Sequence, residues 1–147
     1  MGISVQDIRR LIQETLEPRG LWSQNIEELL IMTYAIESDG GTKLYQYGDG
    51  PARGIFQMEG ATEKDIWENF LKYKPELIRH FDGVQRHLAG NIVYQILMAR
   101  MHYLRNKNAI PKHTEVLKLA QYYKDVWNTR DGKSTVQMAV QKYVQYH

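Results

Sequence analysis

The chain has 147 residues, enough for one domain with a buried core. Its 19 basic and 17 acidic residues leave a net charge of +2, too even a balance to argue for a nucleic-acid partner. It has no cysteine, which excludes disulfides and thiolate metal sites.

Residues 4–16 read as a first amphipathic helix, with Val5, Ile8, Leu11, Ile12 and Leu16 recurring at spacings of three and four. Ser4 and Asp7 suit its cap, and Pro18 and Gly20 end it. A second helix starts near Ser23 or Asn25 and carries Ile26, Leu29, Leu30, Thr33 and Ile36 on one face. It is apolar enough to be the central buried helix, and Glu37 closes it. Residues 39–52 hold Gly40, Gly41, Gly48, Gly50 and Pro51 around Tyr45-Gln46-Tyr47, the signature of a small hairpin or an irregular loop. A connection this long is often functional.

Thr62 and Asp65 have the spacing of a second capping box, opening a helix that runs to about Tyr73 and is broken by Pro75. A short helix over 76–81 precedes Gly83, and 84–104 is a long apolar segment with a possible break at Gly90-Asn91. Residues 113–127 read as a helix with Val116, Leu117, Leu119, Ala120 and Tyr123 facing inward. Ser134 is placed to cap a last helix carrying Val136, Ala139, Val140, Tyr143 and Val144.

No run approaches the roughly 18 apolar residues of a membrane span, so no membrane insertion is expected. The opening Met1-Gly2-Ile3-Ser4-Val5-Gln6-Asp7 lacks a basic run followed by an apolar one, so no secretory leader is expected. The five histidines (His80, His87, His102, His113 and His147) show no metal-ligand spacing, and no phosphate-binding glycine loop occurs; no metal or cofactor is expected.

Glu37 is the residue best placed for chemistry. Glycosidic cleavage requires an acid that protonates the leaving oxygen, and a carboxyl group does this near neutral pH when apolar surroundings favour its neutral form. Glu37 follows Ile36 and comes four residues after Thr33 on an apolar helix, which suits partial burial; by position alone it reads as a surface residue at a helix end, and the motif that follows it is what makes it the candidate acid. Glu37-Ser38 is followed, across the glycine-rich segment, by Gly54-Ile55-Phe56-Gln57 and then by Ala61-Thr62. These pieces, in this order and helix-loop-helix context, resemble the soluble lytic transglycosylase and goose-type lysozyme families of the lysozyme-like superfamily. The resemblance covers about 31–62, and the helical remainder more loosely.

The resemblance implies a mostly α-helical, lysozyme-like single domain over residues 1–147, with a small β-hairpin or irregular element after the catalytic helix. It implies a peptidoglycan glycan strand as partner and cleavage of the β-1,4 bond between N-acetylmuramic acid and N-acetylglucosamine. Lytic transglycosylation comes first and hydrolysis second. Glu37 would act as acid and then base while the sugar's own 6-hydroxyl attacks, with no cofactor. A hydrolytic enzyme needs a second carboxylate or a means of positioning water; Asp39 and Asp49 are the candidates in the glycine-rich segment.

In the family a tyrosine from a later Ala-Tyr-Asn-Ala-Gly motif supports the acid. Leu119-Ala120-Gln121-Tyr122-Tyr123-Lys124-Asp125 stands in that place. Tyr122 aligns with the motif tyrosine and is the expected catalytic partner. Tyr123 stands where asparagine would be, and the glycine is missing. Helix neighbours point about 100° apart, so only one of the two tyrosines faces the cleft. Ser38, Gln57 and Tyr123 are expected at the substrate, with Phe56, Tyr45 and Tyr47 as rings able to stack on sugars, at least one of the three being expected in the core instead.

The tail Trp127-Asn128-Thr129-Arg130-Asp131-Gly132-Lys133-Ser134-Thr135 resembles the end of lysozyme-like proteins of tailed bacteriophages. That implies synthesis in the cytoplasm, access to the cell wall by virion delivery or holin-type release, and other virion proteins as candidate partners. The altered tyrosine motif keeps open a second reading, an inert virion or wall-binding protein that retains the fold.

Overall fold

The apolar periodicity of the first segment is realised as α1 (Val5–Leu16), capped by Ser4, whose Oγ accepts from the Asp7 N–H at 3.2 Å. The structure, a computed structural model, describes residues 2–46, 48, 50–128 and 135–146. Among them are seven α-helices and one two-stranded antiparallel sheet. No helix among the described residues is long and apolar enough to cross a membrane.

α2 (Gln24–Glu37) is the centre of the molecule. Ser23 caps it, and every side chain from Ile26 to Ala35 is buried. A helix enclosed on all sides must be apolar all round or must pair its charges. Glu27 and Glu28, only 4% and 6% exposed, are the exceptions. Arg9 of α1 donates to Glu27 Oε2 at 2.8 Å and to both oxygens of Glu28, while Gln13 and Trp22 donate to Glu27 Oε1, each at 2.8 Å. Paired and hydrogen-bonded in this way, two buried carboxylates are tolerated.

The strands are β1 (Ala52–Arg53) and β2 (Met58–Glu59), in register Ala52 to Glu59 and Arg53 to Met58. The hairpin therefore forms at the end of the glycine-rich stretch, around Gly54 to Gln57, and not around Tyr45 to Tyr47. Tyr45 joins it through a single bridge to Arg53. Gly54 is what allows the turn. Its φ is +84°, and a Cβ there would lie 2.2 Å from the Leu88 carbonyl oxygen and 2.4 Å from Gln95 Oε1. The Gln95 oxygen accepts from the Ile55 N–H at 2.6 Å and so locks the turn onto the helix behind it.

α3 (Gly60–Asn69) starts directly from β2. Thr62 therefore lies inside the first turn, and the expected Thr62–Asp65 capping box does not form. α4 (Pro75–Ile78) is a single turn. α5 (Ile92–Leu104) begins only at Asn91, whose Oδ1 accepts from the N–H groups of Val93 and Tyr94, so the first part of the apolar segment 84–104 is not helical. α6 (Val116–Val126) and α7 (Val136–Tyr146) complete the chain, and α7 packs on both α2 and α6. Thr135 Oγ1 accepts from the Met138 N–H at 3.1 Å at the start of α7; Ser134, the expected cap, lies outside the described residues.

Candidate functional site

Glu37, half-buried, is the last residue of α2 and opens into a cleft of about 200 Å³. Two helices hold the floor beneath it. Tyr123 of α6 is fully buried and donates its hydroxyl to Glu37 Oε2. One turn earlier on α2, Thr33 donates to the Leu29 carbonyl at 2.7 Å, so Tyr103 of α5 supplies the hydrogen in its own 2.7 Å contact with Thr33 Oγ1. Burial and the neighbouring Glu37 carboxylate push the Tyr123 phenol far above the ordinary tyrosine range. It therefore stays a hydrogen-bond donor at any physiological pH.

The hairpin forms one wall. Ala52 and Glu59 are register partners, and both line the cleft, as do Met58 and Gln57. Gln57 has φ +50°, uncommon for a residue with a side chain, and is 7% exposed. Its amide donates to the Gly54 carbonyl at 2.8 Å and the Lys43 carbonyl at 3.3 Å, tying the hairpin to the segment before it. The opposite side is His102 of α5 with Trp127 and Asn128, which follow α6. The His102 and Trp127 rings meet edge-on at 4.7 Å, and Trp127 also stacks toward Tyr103 at 5.3 Å. Burial, helped by Arg105, pulls His102 down to about 4. Arg105 donates to its Nδ1 at 3.1 Å, which leaves the ring hydrogen on Nε2. The cleft runs on past Glu59, Thr62, His102 and Trp127 toward the Asp65–Arg105 pair, whose contact is 2.7 Å.

Of the residues expected at the site, Glu37, Gln57 and Tyr123 come together. Tyr122 does not, and its assignment as the catalytic tyrosine is corrected. Its hydroxyl donates to the Asn108 carbonyl at 2.9 Å, and the phenol that reaches Glu37 is Tyr123. Ser38 is also corrected. It is fully buried, donates to the Tyr34 carbonyl at 3.0 Å and accepts from the Gly41 N–H at 2.9 Å, so its hydroxyl closes the end of α2 instead of facing substrate. Phe56, 2% exposed, belongs to the core and packs on Trp127 at 6.3 Å. Tyr45 is exposed on the hairpin with the Arg53 guanidinium 5.1 Å above its ring, and is not among the residues lining the cleft. Asp39 is turned to α7, accepting from Lys142 at 2.6 Å and Tyr146 at 2.7 Å, which hold its carboxyl below the usual range. Tyr47 and Asp49 lie outside the described residues.

No protein-family profile, curated protein or solved structure matches this chain. The site thus stands on its own geometry: a carboxyl at a helix end in a polar cleft, with the Tyr123 phenol donating to it. Sequence reasoning missed Glu59, His102, Trp127 and Asn128. Glu59 carried a signal, because it follows Gly54-Ile55-Phe56-Gln57 by two positions and cross-strand partners share a face. Asn128 stood in the tail compared with phage proteins, without a role.

Proposed function

We propose that the chain cleaves the β-1,4 bond between N-acetylmuramic acid and N-acetylglucosamine in peptidoglycan, with Glu37 as the proton donor. The observation that carries this reading is the Glu37–Tyr123 pair at the floor of the cleft. Protonation of a leaving oxygen requires a carboxyl that can give up a proton and take it back, and Glu37 stands half-buried at the end of α2 on the lining of the cleft. Once the proton has gone, the Tyr123 hydrogen bond stabilises the carboxylate that remains. Glu37 can then take a proton back from the sugar's 6-hydroxyl, forming a 1,6-anhydro end, or from water. Trp127 offers a ring face in the cleft for a sugar, in the part first given to Phe56. Action on the wall in a bacteriophage setting, with other virion proteins as partners, belongs to this proposal and rests on the resemblance of the tail.

Glu59 favours a second reading of the later half of the reaction. It is a further carboxylate on the cleft wall, in the part first given to Asp39 and Asp49, and a glycosidase that activates water uses such a group. Mass spectrometry of digested peptidoglycan separates the two routes, since anhydro and reducing ends differ by one water. Anhydro ends, with Glu59→Gln nearly as active as the parent, mark the lytic route. Reducing ends, with Glu59→Gln inactive, mark hydrolysis. An absence of soluble fragments from the parent protein contradicts both.

A further inference from the structure

We propose that Asn128 is a positioning residue that sets the protonation equilibrium of Glu37 through Tyr123, by turning its side-chain amide over. The inference deepens the reading of Glu37 as the proton donor and rests on it for its functional meaning.

Three hydrogen-bonding groups meet in one chain. Tyr123 has a single hydrogen and gives it to Glu37 Oε2. Asn128 donates Nδ2 to the same phenol oxygen at 3.4 Å, a long contact. The backbone fixes this approach, because the N–H groups of Trp127 and Asn128 both donate to the Tyr123 carbonyl, at 2.8 and 3.2 Å. Meanwhile Asn128 Oδ1 is buried with no hydrogen-bond partner. A buried acceptor left empty is rare and asks for an explanation.

The two protonation states of Glu37 supply one. When Glu37 is ionised it only accepts, so Tyr123 donates to it and Asn128 must donate to Tyr123. This is the arrangement seen. The neutral carboxyl has two forms: with its hydrogen on Oε1, Tyr123 goes on donating to Oε2, and with its hydrogen on Oε2, that hydrogen points to the phenol oxygen and the Tyr123 hydrogen turns to a new acceptor. Rotating the Asn128 amide by half a turn presents Oδ1 to Tyr123. No proton is exchanged among the three groups. The hydrogen bonds reverse direction, and the only proton gained or lost is the one Glu37 trades with the cleft. An amide suits this because it offers a donor and an acceptor in the same outline.

The other groups around Glu37 among the described residues do not replace Asn128. Tyr103 spends its hydrogen on Thr33. His102 is neutral above about pH 4. Lys43 and Glu59 line the same cleft, and Lys142 pairs with Asp39; these charges stay constant when Asn128 is changed.

The test uses Asn128→Asp and Asn128→Leu in the full chain. Aspartate in its ionised form only accepts, which holds the reversed chain and favours protonated Glu37. Leucine removes both contacts, the donor that supports ionised Glu37 and the acceptor that supports the neutral form, and serves as the reference that has neither. The Glu37 midpoint should lie higher in the aspartate variant than in either the parent or the leucine variant. The expected size is roughly half to one pH unit, the effect of one hydrogen bond selective for a protonation state. It is read by NMR titration of the ¹³C-labelled Glu37 carboxyl, which needs no turnover, and by the pH profile of peptidoglycan clearing. An aspartate midpoint no higher than those of the parent and the leucine variant overturns the proposal. Should the leucine variant not fold, the near-isosteric aspartate decides with Tyr123→Phe/Asn128→Asp. An upward shift from Asn128→Asp in the parent that is absent when the double variant is compared with Tyr123→Phe alone supports the relay. One that persists there is plain charge repulsion and overturns it. If the NMR shifts appear while the parent protein clears no peptidoglycan, the proposed activity fails and the relay stands.

Discussion

Tyr123 and Glu37, 86 positions apart in the chain, meet where α6 crosses the end of α2, the phenol donating to the carboxyl oxygen. Tyr122, its neighbour, turns away to the Asn108 carbonyl. Tyr123→Phe should therefore lower the rate of peptidoglycan clearing by about 10- to 100-fold, the worth of a hydrogen bond to a charged group. Its thermal stability should fall by no more than about 1–2 kcal/mol. Tyr122→Phe should leave the rate within about twofold. Parallel clearing assays and melting curves on the two proteins check this, and a larger loss of rate at Tyr122 would contradict it.

Gly54 gives a second expectation. Alanine there must hold φ near +84° and place its Cβ 2.2 Å from a backbone oxygen of the segment behind. Gly54→Ala should cost more than about 3 kcal/mol and loosen the hairpin wall of the cleft. Urea denaturation measures it, and a loss below about 1 kcal/mol would show that the turn is not clamped as described.

His102 makes stability depend on pH. Its folded value, about 4, lies below the ordinary value near 6.5. Between those two values the unfolded chain binds a proton at this position and the folded chain does not. Stability is therefore complete above about pH 6.5, falls as the pH drops toward 4, and loses no more from this residue below that. The loss is on the order of 3 kcal/mol. His102→Gln should flatten the slope across this window; equal slopes in parent and variant would place the acid sensitivity elsewhere.

How far the sequence reached depends on which physical force fixes each feature. Glu37 at the end of a buried helix was legible, because the run from Ile26 to Ile36 is enclosed by its own composition. That a turn and a small hairpin follow was legible from the glycines, but the strands formed at Ala52 and Met58, where Gly54 can be clamped by Gln95. The tyrosine pair was legible only as a pair. Which ring faces Glu37 depends on the rotation of α6 about its axis, set by how Leu119, Ala120 and Tyr123 pack, and no local pattern states that angle. Phe56 was one of three rings offered as sugar platforms, with at least one expected in the core; which one was not legible, and the turn points Phe56 into the core while Trp127 from a distant segment lines the cleft. Glu27 and Glu28 were not read as buried, since their partner Arg9 comes from another helix.

The central claim is that Glu37 is the acid. Purified peptidoglycan digested with the parent protein and with Glu37→Gln, followed by mass spectrometry of the soluble fragments, tests it most directly. Glutamine keeps the size of the side chain and an acceptor for Tyr123, but has no proton to give. The parent should release disaccharide-containing fragments, and the variant should do so about 10²–10⁴-fold more slowly while melting at nearly the same temperature. A Glu37→Gln protein that releases the same fragments at the parent's rate would contradict the account.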